Sequence, residues 1–217
     1  MIKTTTTNSL NNKIQDYFEQ YLRKEINVFE DFSEVSDITK RNLHVNDIEE
    51  ETGPAIETFI RLFNQIDEEM NTPIEQRIPI KLWINSNGGD LHSGFTICDA
   101  IKLSKTPIIT INTGKAFSCG ALIFLCGNKR LTFPNAAVLI HEGSIGSFQT
   151  DANKFQNMSD FYKEQRSILK DIIINNSKIS EELYDSHSKD DWWITAAQSI
   201  ELGIADRFIT SEEYYNL

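Results

Sequence analysis

The segment "IPIKLWINSNGGDLHSGFTICDAIKLS", residues 78–104, decides the fold class of this 217-residue chain. Residues 78–85 place Ile or Leu at every second position from Ile80 on, which is the period-two pattern of a β-strand. A glycine turn, "SNGGD", is expected next, and residues 91–104 have the composition of a helix. A strand, a glycine turn and a helix in direct succession predict an α/β domain with a parallel sheet.

The same succession recurs along the chain. A strand is expected at 107–113, followed by a helix from Phe117 to Cys126 that is apolar on all sides, hence buried, with Gly127 as its C-cap. The remaining expected elements are a helix opened by Pro54, short strands at 130–133 and 137–141, a long helix over 151–176, a helix with a Thr195–Gln198 capping box that stops at Gly203, and a last strand at 204–209.

Composition excludes several classes of protein. At 40% hydrophobic residues the chain is long enough for one well-filled core, and its net charge of −11 argues against nucleic-acid binding. No apolar run reaches the roughly 18 residues of a membrane span, and the N-terminus has no signal-peptide core. Three cysteines without a C-x-x-C pair predict neither zinc nor a disulfide framework. We therefore expect a cytoplasmic protein without a metal, a cofactor, or a nucleic-acid or membrane partner.

The N-terminal region differs from the rest of the chain. Residues 1–11 are rich in Thr and Asn and are expected to be disordered, whereas 14–22 show the apolar spacing of an amphipathic helix. We therefore expect residues 1–40 to be a partly helical, partly disordered extension, and 41–217 to form the main domain.

Glycines at the expected turn suggest an anion site. Gly88 and Gly89 lie between a strand and a helix, where backbone N–H groups point outward from a positive helix end. The turn has neither the G-x-G-x-x-G pattern nor a Walker lysine of a nucleotide-binding loop. It can equally present an N–H group to a developing oxyanion.

Ser118 has two interpretations from the residues alone. It precedes an apolar helix, so an ordinary N-cap is the more frequent role for a serine in this place. The alternative is a nucleophile, with the N–H of Cys119 stabilising a tetrahedral intermediate. A nucleophilic serine needs a base and a carboxylate that orients the base.

His141 is the best-placed base, because it ends an expected strand and enters a glycine-containing segment. His92, at the start of the helix after the glycine turn, is a weaker substitute. Asp190 and Asp191 both precede "WWITAAQ", and the pattern leaves open which of them would orient the histidine.

Three stretches together resemble a known family: "LWINSNGGDLHSGFTICDAI" (82–101), "TGKAFSCGALIFLCGNKRLTFPNAAVLIH" (113–141) and "DDWWITAAQSIELGIADRF" (190–208). They are similar to the Clp protease proteolytic subunits, within the crotonase-like superfamily, over roughly 41–210. The resemblance implies a crotonase-like fold of repeated strand-strand-helix units with a protruding handle helix.

The resemblance also implies roles for individual residues. Ser118 matches the nucleophile and His141 the general base. Asp191 matches the orienting acid, because it stands four residues before Thr195. The residues that match backbone N–H donors of the oxyanion hole are Gly89 and Cys119, and those that match the strand pairing with bound peptide are Gly143, Ser144, Ile145 and Gly146.

A member of this family is expected to be a serine endopeptidase that cleaves unfolded proteins or peptides through an acyl-enzyme. The resemblance implies a homo-oligomer of two stacked seven-membered rings, a tetradecamer that encloses the active sites, fed by an ATP-dependent unfoldase. The chain departs from the family pattern at Asn87, Cys119 and Glu142–Gly143, and most strongly in residues 1–40.

Two other enzyme classes fit these residues less well. An α/β-hydrolase is disfavoured because Ala116 stands two before the serine and because the order here is serine, histidine, acid. A crotonase-type acyl-CoA enzyme has no need of the serine–histidine pair. The alternatives that stay open are a virus-head-type processing protease of the same fold and a non-catalytic ring subunit.

Overall fold

A computed structural model of the chain describes residues 37–143 and 151–217. Residues 44–217 form one compact unit, and of the preceding unit, 1–43, only 37–43 are described. The disorder expected at 1–11 and the helix expected at 14–22 therefore lie outside the described residues.

The described chain alternates strands and helices. The strands are β1 (Asn42–Ile48), β2 (Ile80–Gly89), β3 (Ile108–Phe117), β4 (Lys129–Thr132), β5 (Ala137–Ile140), β6 (Trp192–Thr195) and β7 (Arg207–Phe208). The helices are α1 (Thr52–Glu69), α2 (Leu91–Leu103), α3 (Cys119–Cys126), α4 (Ala152–Asn175), α5 (Glu181–His187), α6 (Ala196–Glu201) and α7 (Ser211–Asn216), with a 3₁₀ turn at Ile74–Gln76.

The strands build one sheet in the order β1-β2-β3-β4-β7, and β5 and β6 lie off this path. Strand β3 serves two neighbours on one side: residues 109–112 pair with β4 and 115–117 pair with β5. The pairs β2–β3, β3–β4, β3–β5 and β4–β7 are parallel, which confirms the expected parallel sheet. Only β5 and β6 pair in antiparallel fashion among the pairings assigned a direction.

The centre of the sheet is covered on both faces. Ile80, Leu82 and Ile84 are fully buried, as their alternation predicts. Lys81, which alternates with these residues, is also buried, and its Nζ donates a hydrogen bond to the Leu217 carbonyl oxygen at 2.6 Å. Helix α3 is buried at all eight positions, so the helix predicted to be apolar all round is a core helix.

Several boundaries differ from the sequence-based expectation. The turn expected at 86–90 is wrong, because β2 continues to Gly89 and its pairing with β3 resumes at Ser86 after a register shift. Phe117 belongs to β3 and not to the following helix, because it pairs with Leu139 of β5. The last strand is only two residues long.

The long helix and two capped helix starts are close to their expected positions. Helix α4 is capped by the Asp151 side chain, which accepts a hydrogen bond from the Lys154 N–H at 2.9 Å. The capping box between Thr195 and Gln198 opens α6, as predicted. Among the described residues, no helix combines the length and apolar character that crossing a membrane requires.

Candidate active site

Four adjacent strands bring the expected site residues to one edge of the sheet. The carboxyl ends of parallel β2, β3 and β5 lead to Gly88, Ser118 and His141, and the antiparallel β6 begins just after Asp191. The strand order β2-β3-β5-β6 therefore sets the spatial order of these groups. Carboxyl ends of parallel strands are the usual place for α/β binding sites.

Ser118 has a backbone conformation that non-glycine residues rarely adopt, with φ +53° and ψ −123°. Its N–H donates to the Leu139 carbonyl at 2.9 Å, which anchors the turn on β5. Ser118 occupies the N-cap position of α3, yet its hydroxyl makes no capping hydrogen bond. The N-cap role is therefore not realised by the side chain, and such strain between a strand and a helix is typical of a nucleophile turn.

The two glycines of β2 allow its end to approach Ser118. A Cβ on Gly88, where φ is +96°, would lie 2.6 Å from Ser118 Cβ, and one on Gly89 would lie 2.1 Å from the Ile48 carbonyl oxygen. Neither position can hold a side chain without a shift of backbone or of the serine. The Gly88 N–H already donates to Ser86 Oγ at 3.0 Å.

Cys119 is buried at the first turn of α3 and is unsuited to nucleophilic chemistry. Burial, and then the nearby Asp90 carboxylate, raise the pKa of the Cys119 thiol to about 11, so the thiol is neutral at physiological pH. Its S–H points at the Gly89 carbonyl oxygen, 3.6 Å from Sγ. This contact holds the two expected oxyanion-hole residues beside each other.

His141 lies beside Asp191, with 3.5 Å between Nδ1 and Oδ1. The pairing of Ile140 with Trp192 explains the contact, because His141 and Asp191 are the next two residues in the same antiparallel register. Asp190 lies in the turn after α5, where its N–H donates to the His187 carbonyl at 3.1 Å. The distance between His141 and Asp191 is longer than an ordinary hydrogen bond and counts as an ion-pair contact when the imidazole is protonated.

The other ring nitrogen of His141, Nε2, has an unused hydrogen-bonding capacity within the described part of the chain. Nε2 is buried and makes no hydrogen bond to any of the residues that the structure describes. A buried, unpartnered imidazole nitrogen is costly unless another group completes it during function.

A cavity of about 330 Å³ opens beside these groups. Its lining residues are Gly89, Asp90, Leu91, His92, Ser118, Cys119, His141, Gly143, Tyr162, Gln165, Arg166 and Leu169. The last four belong to α4, so the long helix forms one wall. His92, the weaker candidate for the base, stacks on Phe161 of the same helix with ring centroids 6.1 Å apart.

One pair of residues beside the cavity was missed by sequence reasoning. Arg166 Nη1 of α4 lies 3.2 Å from Glu142 Oε2, directly after His141. The helical spacing of α4 marks which residues share a face, but no local signal identifies a partner more than twenty positions away.

The expected peptide-pairing segment is described only at its first residue. Gly143 has φ +78°, and a Cβ there would meet nothing within 4 Å. Ser144, Ile145 and Gly146 lie outside the described residues. Within 37–143 and 151–217, no group of three or more His, Cys, Asp or Glu side chains is placed to hold a metal ion.

Comparison with known proteins relates the chain to a family. The family model "Clp protease" matches residues 57–212. Proteolytic subunit 1 of the ATP-dependent Clp protease of Chlamydia muridarum is 32% identical over 141 residues, covering 61% of this chain and 71% of that protein. Proteolytic subunit 2 from Prochlorococcus marinus (strain NATL2A) is 34% identical over 140 residues, covering 61% and 67%. A solved ClpP1 variant from Listeria monocytogenes shares the fold, with a TM-score of 0.70, 22% identity, and coverage of 82% and 96%.

Proposed function

Because this chain belongs to the Clp protease family and is a serine-type endopeptidase, we propose that Ser118 is its nucleophile, His141 its general base and Asp191 the carboxylate that orients His141. The observation that carries this assignment is the row of groups at one sheet edge, in which antiparallel register brings His141 Nδ1 to 3.5 Å from Asp191. This spatial order is the one that nucleophilic catalysis by serine requires.

The proposed reaction proceeds through an acyl-enzyme. Ser118 Oγ attacks the peptide carbonyl carbon while His141 Nε2 takes the hydroxyl proton, and the same nitrogen then protonates the departing amine. Water, activated by His141, hydrolyses the ester and frees Ser118. The buried and unpartnered Nε2 supports this role, since its hydrogen bond would be made to the reacting groups.

The backbone N–H groups of Gly89 and Cys119 are the proposed oxyanion donors. The Gly88 N–H already donates a hydrogen bond to Ser86 Oγ, which favours the Gly89 N–H as the oxyanion donor from the end of β2. Cys119 contributes only its N–H, because its thiol is buried and neutral. Fixed donors of this kind stabilise the charge that develops on the carbonyl oxygen.

Substrates in this proposal are unfolded proteins and peptides in extended form, which pair along Gly143–Gly146 through main-chain hydrogen bonds. Two stacked seven-membered rings would enclose the sites, and an ATP-dependent unfoldase would deliver substrate. The exposed Phe155, Phe161 and Ile168 on α4 supply apolar surface for contact between subunits. Relatives named as subunits of an ATP-dependent protease support the unfoldase.

We also propose a division of the chain into an N-terminal extension, 1–40, and a peptidase domain, 41–217. The family match over 57–212 and the compact unit 44–217 support this boundary.

Covalent labelling tests the nucleophile. A fluorophosphonate probe should add once per wild-type chain, at Ser118, and the Ser118→Ala variant should stay unlabelled in intact-mass analysis. An assembled, folded wild type that gains no adduct would contradict the assignment.

The chamber is tested by mass and by substrate size. Native mass spectrometry should show a particle of about fourteen chains of 24.9 kDa each. A short fluorogenic peptide should be cleaved by the protease alone, whereas a folded protein should require an unfoldase and ATP. Cleavage of a folded protein without ATP would rule out an enclosed chamber.

A further inference from the structure

An ion pair connects the long helix α4 to the end of the strand that carries His141. Arg166 Nη1 lies 3.2 Å from Glu142 Oε2, and Glu142 stands between His141 and Gly143. Within the described residues, this is the ion pair that joins α4 to the segment after β5. Both side chains are partly exposed, at 47% and 30%, so the contact adds little to the stability of the fold.

Helix α4 is itself braced at this point. Lys170, one turn beyond Arg166, binds Glu181 and Asp185 of α5, each at 2.8 Å from Nζ. The same ammonium lies 5.7 Å from the ring centroid of Tyr184, which is almost fully buried. Arg166 therefore projects from a helix that α5 holds in place.

His141 has few attachments of its own. Its imidazole has the 3.5 Å contact with Asp191, whose side chain is 58% exposed, and Nε2 has no partner among the described residues. The position of the ring therefore depends on the backbone of residues 141–143. Glu142 is the side chain that ties this backbone to the braced helix.

We propose that Arg166 is a positioning residue for catalysis, which acts through Glu142 to hold the end of β5 and to neutralise the carboxylate next to His141. The inference rests on the proposed role of His141 as general base. With the pair intact, the base has a neutral neighbour on this side. Loss of either partner leaves one uncompensated charge of known sign beside it.

The other charged and titratable groups around His141 do not change in this comparison. They are Asp191 before β6, Asp90 and His92 at the start of α2, Cys119 at the start of α3, Tyr162 of α4, and Tyr184 of α5, which faces Glu142. Variants of Arg166 and Glu142 therefore differ from wild type by a single charge each.

The test is the pH dependence of kcat/KM for a short fluorogenic peptide. The acidic limb of this profile reports protonation of the base in the free enzyme. Arg166→Met leaves the Glu142 anion unpaired and should move the limb to higher pH. Glu142→Gln leaves the Arg166 cation and should move it to lower pH, each by about half a pH unit for charges several ångströms apart near a surface.

Two further variants separate charge from placement. The double variant, Arg166→Met with Glu142→Gln, should return the acidic limb to its wild-type position. Its kcat should still be several-fold below that of wild type, because the ion pair that ties the end of β5 to α4 is lost. Arg166→Lys should keep the limb and recover most of kcat. Lys163→Met is the matched control: it removes an ion pair with Asp160 on the same helix and should change neither quantity.

The inference would be overturned if the acidic limb moved in the same direction in both single variants, or if both profiles coincided with that of Lys163→Met. Labelling of Ser118 by the fluorophosphonate would in that case still support the proposed function. A wild type that neither cleaves the peptide nor reacts with the fluorophosphonate would overturn the proposed function and this inference with it. Opposite shifts, cancelled in the double variant, would establish the role of the pair.

Discussion

Ser118 combines a strained backbone with a hydroxyl that makes no capping hydrogen bond to the helix it precedes. Its φ of +53° and ψ of −123° suit glycine far better than serine. The hydrogen bond to Leu139 and the close packing of Gly88 maintain this conformation. In this conformation Ser118 lines the cavity, at a cost on the order of 1–3 kcal/mol.

This strain predicts an unusual stability order. Ser118→Gly should have a free energy of unfolding about 1 kcal/mol greater than Ser118→Ala, because glycine adopts the conformation without penalty. Urea unfolding of the two inactive variants measures the difference. At Ser188, where φ is −62°, the order should reverse, since glycine there only loses more chain entropy. Equal stability of the two Ser118 variants would mean that the turn relaxes.

The neighbouring acids allow a second residue-scale prediction. Asp191→Asn should lower kcat by at least about a hundredfold, because an amide cannot stabilise the imidazolium that forms on His141. Asp190→Asn should stay within about threefold of wild type, since the carboxylate in contact with His141 is that of Asp191 and Asp190 lies in the turn after α5. Peptide hydrolysis at pH 7.5 measures both, and similar losses would show that Asp191 is wrongly assigned.

At the scale of elements, the packing of α3 on β3 limits what the end of the helix can hold. Gly127 is the C-cap, as expected, but its φ of −61° needs no glycine. A Cβ there would lie 2.3 Å from Oγ1 of Thr110, a fully buried residue whose hydroxyl donates to the Phe124 carbonyl at 2.8 Å. Close approach of helix and strand is therefore the reason for the glycine.

Gly127→Ala should therefore destabilise the fold by about 1–3 kcal/mol through overpacking. In a Thr110→Ala background, which removes the two nearest atoms, the same change should cost clearly less. A double-mutant cycle from urea unfolding measures this coupling. Strictly additive effects would contradict the proposed clash.

Helices and strands match the prediction where residues within the element itself determine its bounds. Helices α2 and α4 begin at Asp side chains that accept first-turn N–H groups, and both lie within a few residues of their predicted bounds. The expected turn at 86–90 is instead the end of a strand: Ser86 still pairs with Ala116 of β3, and β2 continues to Gly89. Strand β6 had no prediction at all, since "WWIT" forms a strand only beside β5.

At the scale of the whole molecule, Glu213 of α7 connects the C-terminal helix to strands β4 and β7 of the sheet. Its carboxylate binds Arg207 of β7 at 2.6 Å and Lys129 of β4 at 2.8 Å, and it completes the capping box of α7 with Thr210. The hydrogen bond from Arg207, followed by that from Lys129, holds the pKa of the Glu213 carboxyl well below its usual range. One carboxylate therefore links β4, β7 and α7.

The lowered pKa predicts how stability depends on pH. A carboxyl with a lowered folded-state pKa contributes stability above its unfolded value, near 4.3, and loses it as the pH falls further. Glu213→Gln should therefore lower the free energy of unfolding by about 1 kcal/mol at pH 7, and the gap to wild type should narrow below pH 4.5. Urea unfolding at pH 7, 5 and 3 measures the gap, with Glu212→Gln as the control. A gap that widens toward pH 3 would contradict the sign.

The sequence alone determined the α/β class, the Thr195–Gln198 capping box, the buried character of α3 and, through its joint motifs, the expected residues of the site. These features depend on periodicity and on hydrogen bonds between near neighbours, so the local order of residues contains them. Bottom-up, the same order left Ser118 between two roles and could not separate Asp190 from Asp191.

Only the tertiary structure supplies the contacts on which the proposed assignments rest. The register of β5 on β6 brings Asp191 to His141 although fifty positions separate them, and packing of α4 on the cavity pairs Arg166 with Glu142. Pairing register and helix docking depend on the summed burial of many distant side chains. A short stretch of sequence does not show which distant residues will pack against it, so the contacts of the site could not be predicted before the fold was known.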